Sequence, residues 1–361
     1  MRTVVAVGTR KGLWIADQPA PGRAWQVTGP QFLMEEVAAL AWDPSVPRRL
    51  LAGVRSEHWG PTVASSDDLG QTWNEPQDGA IRFPAGTEAA LERIWQIHPD
   101  PARPGVVWAG CEPTSLWRST DGGRSFELVR GLWDHPHRPQ WWPGGGGAAL
   151  HTVLSHPTDD DRVVAAMSTG GVYVSEDGGA SWRPSNSGVA APFLPDPDPE
   201  FGQCVHKVAR DAASPDVYYL QNHGGVYRSK DAAGTWQSIA DGLPGDFGFV
   251  MLAHPRRGGT IWTVPLKADV ERVPPDARLR MYRSDDGGDS WCDCARGLPE
   301  RAWVSVLRDA AHVVAEDEGV ATVVLGTRDG CVYASADDGE RFEEVARHLP
   351  DVLCVRALHL P

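Results

Sequence analysis

An eight-residue motif that recurs six times constrains this chain more than any other feature. It reads Ser66-Asp-Asp68-Leu-Gly70-Gln-Thr72-Trp73, then Ser119-Thr-Asp121-Gly-Gly123-Arg-Ser125-Phe126, then Ser175-Glu-Asp177-Gly-Gly179-Ala-Ser181-Trp182. It returns as Ser229-Lys-Asp231-Ala-Ala233-Gly-Thr235-Trp236, Ser284-Asp-Asp286-Gly-Gly288-Asp-Ser290-Trp291 and Ser335-Ala-Asp337-Asp-Gly339-Glu-Arg341-Phe342. The leading serines stand 53, 56, 54, 55 and 51 residues apart. A self-similar period of roughly 50 residues is the mark of a repeat architecture in which each unit is one supersecondary element.

The motif has the chemistry of a hairpin turn. An Asp accepts hydrogen bonds from turn amides, Gly supplies positive φ, and Ser or Thr hydroxyls bond locally to backbone. The terminal Trp or Phe opens the next strand and brings a large apolar face to pack. The six copies resemble the Asp-box, or BNR, repeat. That resemblance implies a turn remote from any active site, so the row of aspartates is scaffold.

Around each box the chain reads as four short strands. Inner strands look like Val37–Trp42, Arg93–Ile97, His151–Leu154 and Phe249–Leu252; second strands like Leu50–Gly53, Val106–Ala109 and Val163–Ala166; third strands like Val172–Val174, Val226–Arg228 and Val332–Ala334. Short runs rich in Val, Ile, Tyr and Trp, bounded by Gly and Pro, are strand signals. The 39 Gly and 30 Pro suit many tight turns and oppose long helices. Residues 3–16 match Val323–Ala334, and the C-terminal Leu353–Leu358 reads as an inner strand with nothing after it. Joining the two ends completes a circle of blades with no open edge. The sequence therefore predicts an all-β fold, a single seven-bladed β-propeller over residues 1–361, with the first blade built from 1–30 plus 351–361.

Composition narrows the function. A formal net charge of −14 repels phosphate backbones and anionic lipid, so neither nucleic acid nor a membrane surface is an expected partner. The first residues form too short an apolar run for an export signal, and no stretch is long enough to span a bilayer, so a cytoplasmic location with six free thiols is expected.

Chemistry is expected on the face carrying the long, irregular loops, near residues 76–91, 129–150, 184–204 and 266–279, around a central funnel. The connections between second and third strands carry Arg10, Glu57-His58-Trp59, Glu112, His223 and Arg328. The entries to inner strands carry Glu35, Glu36, Glu92, Arg93, His151, Gln203, His206, Lys207, Phe247 and Trp303. Loop 129–150 adds Trp141, Trp142 and four glycines, the composition of a lid over a small-molecule ligand. No strand–loop–helix context surrounds those glycines, which excludes a phosphate loop. His151, His206 and His223 are the candidate constellation, as ligands of a divalent transition metal (Zn, Cu, Fe or Ni) or, without metal, as a general base. His58 and Glu112 are further candidate ligands; Gln203 or Lys207 would orient the substrate. His98, His156 and His254 recur before turns and read as structural.

Over the whole chain the boxes resemble the sialidase-like superfamily, and stretches such as Glu57–Pro61 and Phe201–Lys207 look like bacterial cytoplasmic proteins labelled glycosyl hydrolase or exo-sialidase. True sialidases imply six blades and an Arg-Ile-Pro motif, both missing from this sequence. Xyloglucanase-type enzymes are similar in repeat but imply catalytic aspartates between two propellers. The photosystem-assembly propeller is similar in size, yet this chain is acidic. Three readings stay open: a metal-assisted or histidine-based enzyme acting on a small molecule; a carbohydrate-active or carbohydrate-binding propeller with Glu92 and Glu112 as acid and base; and a non-catalytic scaffold with a protein partner the sequence does not name.

Truncation before Leu353 leaves the first blade an uncovered edge. The shortened protein is expected to aggregate, which size-exclusion chromatography reads; an unchanged monomer with an unchanged melting temperature would contradict terminal closure.

Overall fold

The computed structural model describes residues 1–76, 79–268 and 270–361. It is all-β and has the blade arrangement of a seven-bladed β-propeller: seven antiparallel sheets, six of four strands and one of three. The chain divides into two compact units. One comprises Met1–Pro30, Asn186–Pro199 and His206–Pro361; the other comprises Gln31–Ser185 and Glu200–Val205.

In the first unit one sheet is built from both chain ends. Val352–Leu360 lies antiparallel to Arg2–Thr9, with Val5 opposite Ala357 and Val7 opposite Val355, and Gly12–Gln18 and Gln26–Gln31 follow outward. Three further sheets begin at Val205–Arg210, Phe247–Ala253 and Ala311–Val314. The sheet of the chain ends and the sheets that begin at Phe247 and Ala311 share a core of Val5, Val7, Trp262, Met281, Val323, Leu325 and Val355, all essentially buried.

The second unit holds the sheets that begin at Glu36–Trp42, Arg93–Pro99 and Leu150–Ser155. Among the described residues the first of these has three strands, with a bridge between Ser65 and Asn74 on its outer side. Ala39, Leu51, Ile94, Val107 and Trp117 make one core cluster, and Trp108, Leu150, Val163 and Tyr173 another. Loop 129–150 contains the one α-helix among the described residues, the single turn Arg130–Trp133, which the strand-oriented sequence reading did not foresee. No helix is long and apolar enough to cross a membrane, and all six cysteines are free thiols.

The six boxes share one hydrogen-bond pattern. In the first, Ser66 Oγ donates to Asp68 Oδ1 at 2.8 Å and accepts from the Gly70 amide at 2.8 Å. Asp68 in turn accepts from the Thr72 amide at 2.9 Å and the Thr72 hydroxyl at 2.6 Å. Asp121, Asp177, Asp231 and Asp286 repeat both bonds with Ser125, Ser181, Thr235 and Ser290. Asp337 keeps the backbone bond to Arg341, which has no hydroxyl to give. These bonds favour the ionised carboxylate. They hold Asp68 and Asp286 at about 2, with the Thr72 and Ser290 hydroxyls the leading causes.

The second box glycine takes positive φ at Gly70, Gly123, Gly179, Gly288 and Gly339; in the fourth box Ala233 is forced to 67°. A Cβ in left-handed backbone costs about 1–2 kcal/mol, partly offset by the looser unfolded chain that Gly brings. Ala233→Gly is expected to stabilise the protein by about 0.5–1 kcal/mol, measured as an increased urea midpoint at constant slope.

Candidate functional site

In the second unit a cleft of about 550 Å3 is lined by Glu35, Ser56, Trp59, Thr62, Glu75 and Arg82, among others. Local chain geometry presents its walls. Strands Leu50–Ser56 and Gly60–Ser66 pair up to Ser56 opposite Gly60, leaving a three-residue loop that Gly60 closes at φ 80°. That loop lifts Trp59 into solvent, where it is 91% exposed. The Ser56 hydroxyl accepts from the His58 and Trp59 amides at 3.3 Å and fixes the loop's path. Glu35 enters from the preceding turn, in which Phe32 and Met34 take positive φ and the Glu35 amide donates to the Phe32 carbonyl at 3.0 Å. Glu75 follows the first box. Partial burial, and then the Glu35 charge, push the Glu75 carboxyl above its ordinary range. The result is a pair of carboxyl groups that repel one another electrostatically, beside an arginine and an open indole face.

The same unit holds several candidates in structural roles. Arg93 pairs with Glu36 at 2.6 Å and lays its guanidinium over Trp95 at 4.5 Å. The Trp95 indole donates to Glu112 at 2.9 Å, and Gly147 packs so close to the Glu112 carboxylate that a Cβ there would clash with it. Glu112 is therefore an anchored carboxylate. Glu92 is exposed and donates its amide to the Glu112 carbonyl at 2.8 Å. His58 is exposed and Gln203 fully buried. The two tryptophans of the expected lid diverge. Trp141 is buried and donates to the Tyr173 hydroxyl at 3.0 Å, so it packs rather than binds, whereas Trp142 is 75% exposed.

His151 departs from its expected role as a metal ligand. Its Nε2 lies 2.8 Å from the Val205 carbonyl and its Nδ1 faces the Thr152 hydroxyl at 3.3 Å, so both nitrogens of a fully buried ring are engaged by protein. A carbonyl accepts only from an N–H, which puts the proton on Nε2 and takes that atom out of metal chemistry.

In the first unit His206 and His223 do come together, with ring centroids 5.5 Å apart. His206 Nδ1 donates to the Gly248 carbonyl at 2.6 Å, and its ring stacks on Phe249 at 4.7 Å. His223 meets Phe247 edge-on at 5.1 Å. Burial, and then the nearby Arg308 charge, hold His206 down to about 3, so it is neutral. Neutral imidazole is the form that binds metal, but Arg308 and Arg272 both act on this ring, and neither residue type nor spacing had singled them out. Arg308 lies five residues beyond Trp303, and Arg272 lies in the long loop 266–279. Both guanidinium charges help to keep the ring neutral. Lys207, expected to orient a substrate, is instead buried against Asp309 at 2.8 Å. Asp309 also takes Arg356 at 2.8 Å. Arg10 and Arg328 are exposed and both pair with Asp351.

Glu75 and Arg82 were missed by residue-by-residue reading; the usable signal was their place in and beside the long loop 76–91. His156 and His254 behave as turn residues: His156 Nδ1 accepts the Thr158 amide at 3.3 Å, and His254 Nδ1 accepts the Arg256 and Arg257 amides at 3.1 and 2.8 Å. His98 instead lies inside the strand Arg93–Pro99, with its Nε2 3.1 Å from the Ser155 hydroxyl.

No family model matches the chain. Among curated proteins it is similar to the xyloglucanase of Hypocrea jecorina, 27% identical over 303 residues, covering 73% of this chain and 30% of that one. It is also similar to the oligoxyloglucan-reducing end-specific xyloglucanase of Emericella nidulans, 25% identical over 228 residues, covering 55% of this chain and 26% of that one. The chain thus spans under a third of the length of these relatives. Among solved structures, the GH74 xyloglucanase from Xanthomonas campestris superposes with a TM-score of 0.65 at 20% identity, covering 97% of this chain and 53% of that one. YCF48 from Cyanidioschyzon merolae gives 0.50 at 15% identity, covering 86% and 84%. At such identities the structural likeness speaks for the fold. The sequence relatives favour the carbohydrate-active alternative over the metal-dependent small-molecule enzyme that led the sequence reading.

Asp309 pairs with buried Lys207 and with partly buried Arg356, so Asp309→Asn removes the carboxylate they share and is expected to cost about 3–5 kcal/mol. Its carboxyl is held well below the usual range by Lys207 and Arg356 against the opposing effect of burial. That contribution is present above the ordinary carboxylate pKa of about 4 and is lost as pH falls below it. Urea unfolding of wild type and variant across that range reads the difference, which should shrink with acidification.

Proposed function

We propose that this protein is carbohydrate-active and holds an oligosaccharide in the cleft of Glu35, Trp59, Glu75 and Arg82. The observation that carries the reading is the combination in one cleft of a nearly fully exposed indole with two interacting carboxyl groups. A sugar ring presents an apolar face of C–H groups that an open tryptophan covers well, and its hydroxyls suit carboxylate and guanidinium partners. Similarity to xyloglucanases supports a glucan-type ligand, and xyloglucan oligosaccharide is the first substrate to test.

Glycoside hydrolysis needs one carboxyl that holds a proton for the leaving oxygen and a second that activates water or attacks the sugar. Glu75, pushed up by burial and by Glu35, is suited to be the proton donor, and Glu35 supplies the second group. The assignment replaces Glu92 and Glu112: Glu112 already accepts from Trp95 and abuts Gly147.

Trp59→Ala is expected to weaken xyloglucan-oligosaccharide binding about tenfold or more, because the sugar's apolar face then has no indole to cover it. Glu75→Gln should leave binding intact and reduce reducing-sugar release by about 10²–10⁴. Activity needs protonated Glu75, so it should fall as pH rises through that group's raised pKa. Wild-type protein that binds the oligosaccharide without cleaving it keeps the binding reading and removes the hydrolytic one. No binding at millimolar ligand removes both.

A further inference from the structure

Two departures from the box repeat meet at one cavity in the first unit. In five boxes a Ser or Thr hydroxyl donates to the second carboxylate oxygen of the Asp. The sixth box has Arg341 at that position. Its amide still donates to Asp337 Oδ1 at 2.9 Å, and Ser335 Oγ donates to the same oxygen at 2.6 Å. Among the described residues Asp337 Oδ2 has no hydrogen-bond partner, and the Arg341 guanidinium makes neither a hydrogen bond nor an ion pair. The second departure is Trp25. It stands directly before the outer strand Gln26–Gln31, the place that the box Trp or Phe holds in five other sheets, yet no complete box precedes it. The Trp182 indole returns to its own box and donates to the Gly179 carbonyl at 3.1 Å. Trp25 Nε1 donates instead to Glu343 Oε1 at 2.7 Å, and Gln18 Nε2 reaches the same oxygen at 3.0 Å. Glu343 Oε2 is left without a partner among the described residues.

Trp25, Asp337, Arg341 and Glu343 all line a cavity of about 350 Å3. Small-molecule sites typically measure about 300–1,000 Å3. Trp25 is half-buried and packs partly against the core of this unit, whereas Arg341 and Glu343 are exposed. A carboxylate oxygen only accepts hydrogen bonds and a guanidinium only donates them. An anionic ligand brings no donors for Asp337 Oδ2 and Glu343 Oε2, and a cationic one brings no acceptor for Arg341. Hydroxyl groups do both, so a polyhydroxylated ligand satisfies every open group of the lining. The C–H face of a sugar ring also suits an indole.

We propose that Trp25, Asp337, Arg341 and Glu343 form a second binding site, for a neutral sugar unit. Sugar hydroxyls donate to Asp337 Oδ2 and Glu343 Oε2 and accept from Arg341, and the ring lies against Trp25. The replacement of the box hydroxyl by Arg341 then has a purpose that the turn itself does not supply, since the backbone bond to Asp337 is kept without it. The proposal stands on the lining of this cavity and does not rest on the cleft of Trp59, which belongs to the second unit.

Fluorine NMR of the full chain labelled with fluorotryptophan tests it, because each indole then reports on its own surroundings. Trp25→Phe and Trp59→Phe assign the two signals that matter. Cellobiose at millimolar concentration should shift the Trp25 signal saturably, and glucosamine and sodium glucuronate should do so more weakly. Arg341→Thr restores the hydroxyl that the other boxes carry. This variant is expected to melt no lower than wild type and to bind cellobiose at Trp25 about tenfold or more weakly. The Trp59 signal reads the cleft separately: a shift at Trp25 alone keeps this site and removes the cleft, and a shift at Trp59 alone does the reverse. Unchanged affinity in Arg341→Thr, no response of Trp25 to any of the three sugars, or tighter binding of glucosamine or glucuronate than of cellobiose would each overturn the site.

Discussion

The carboxylate at the centre of each box turn is the interaction on which the blades depend. The strand that follows the turn is very short: Glu127–Leu128, Arg183–Pro184 and Gln237–Ser238 have two residues each. A ladder that brief offers too few bonds to hold an outer edge by itself. The box supplies the missing constraint locally. One Asp oxygen gathers amides from three and four residues on, the other takes a hydroxyl, and the leading serine closes back on the glycine amide. Around Asn74, where the described residues form a single bridge to Ser65, the box is still complete, and Trp73 packs edge-on against Phe32 at 4.8 Å.

Self-sufficient turns release the loops elsewhere from structural duty. Six of the seven sheets carry a box beside their buried Val, Leu and Trp residues, so insertions such as 76–91 and 266–279 can vary in length and content without unfolding a blade. The candidate cleft draws on one of those insertions, with Arg82 inside it and Glu75 just before it. Loop 129–150 shows the other outcome. It spends its aromatics on packing: Arg138 lies 3.4 Å over the Trp133 ring, His137 stacks on Phe201 at 4.0 Å, and Trp141 is tied to Tyr173. That network explains why a composition suggestive of a lid leaves Trp142 as the open tryptophan of the loop.

The fold was legible because its determinants are local. Ser66, Asp68, Gly70 and Thr72 lie within seven positions, and their mutual bonding can be written down from residue types alone. Sites were less legible because their geometry is non-local. His151 and His206 occupy corresponding positions on inner strands, yet one ring is consumed by the Val205 carbonyl and the other keeps its Nδ1 on Gly248 and its face on Phe249. Nothing in the register distinguishes them. Lys207 looks like a substrate handle until Asp309, 102 positions on, claims it. Glu75 acquires its unusual carboxyl partly from Glu35, forty positions earlier, a coupling no spacing rule encodes.

Electrostatics then separates what the two surfaces can do. In the cleft, partial burial and then the Glu35 charge raise the Glu75 carboxyl, the direction that favours a retained proton. Around His206 the sign is reversed. Burial and two guanidinium groups strip the imidazole of any tendency to protonate, so the ring works there as a neutral prop, and the positive charge is left to Arg272 and Arg308. Charge at each place is set by neighbours rather than by the acidic average of the chain, because interactions over about 8–10 Å are screened in physiological salt while those inside a half-buried pocket are not. The repeated scaffold tolerates environments of opposite sign because the box turns make no demand on the loops that carry them.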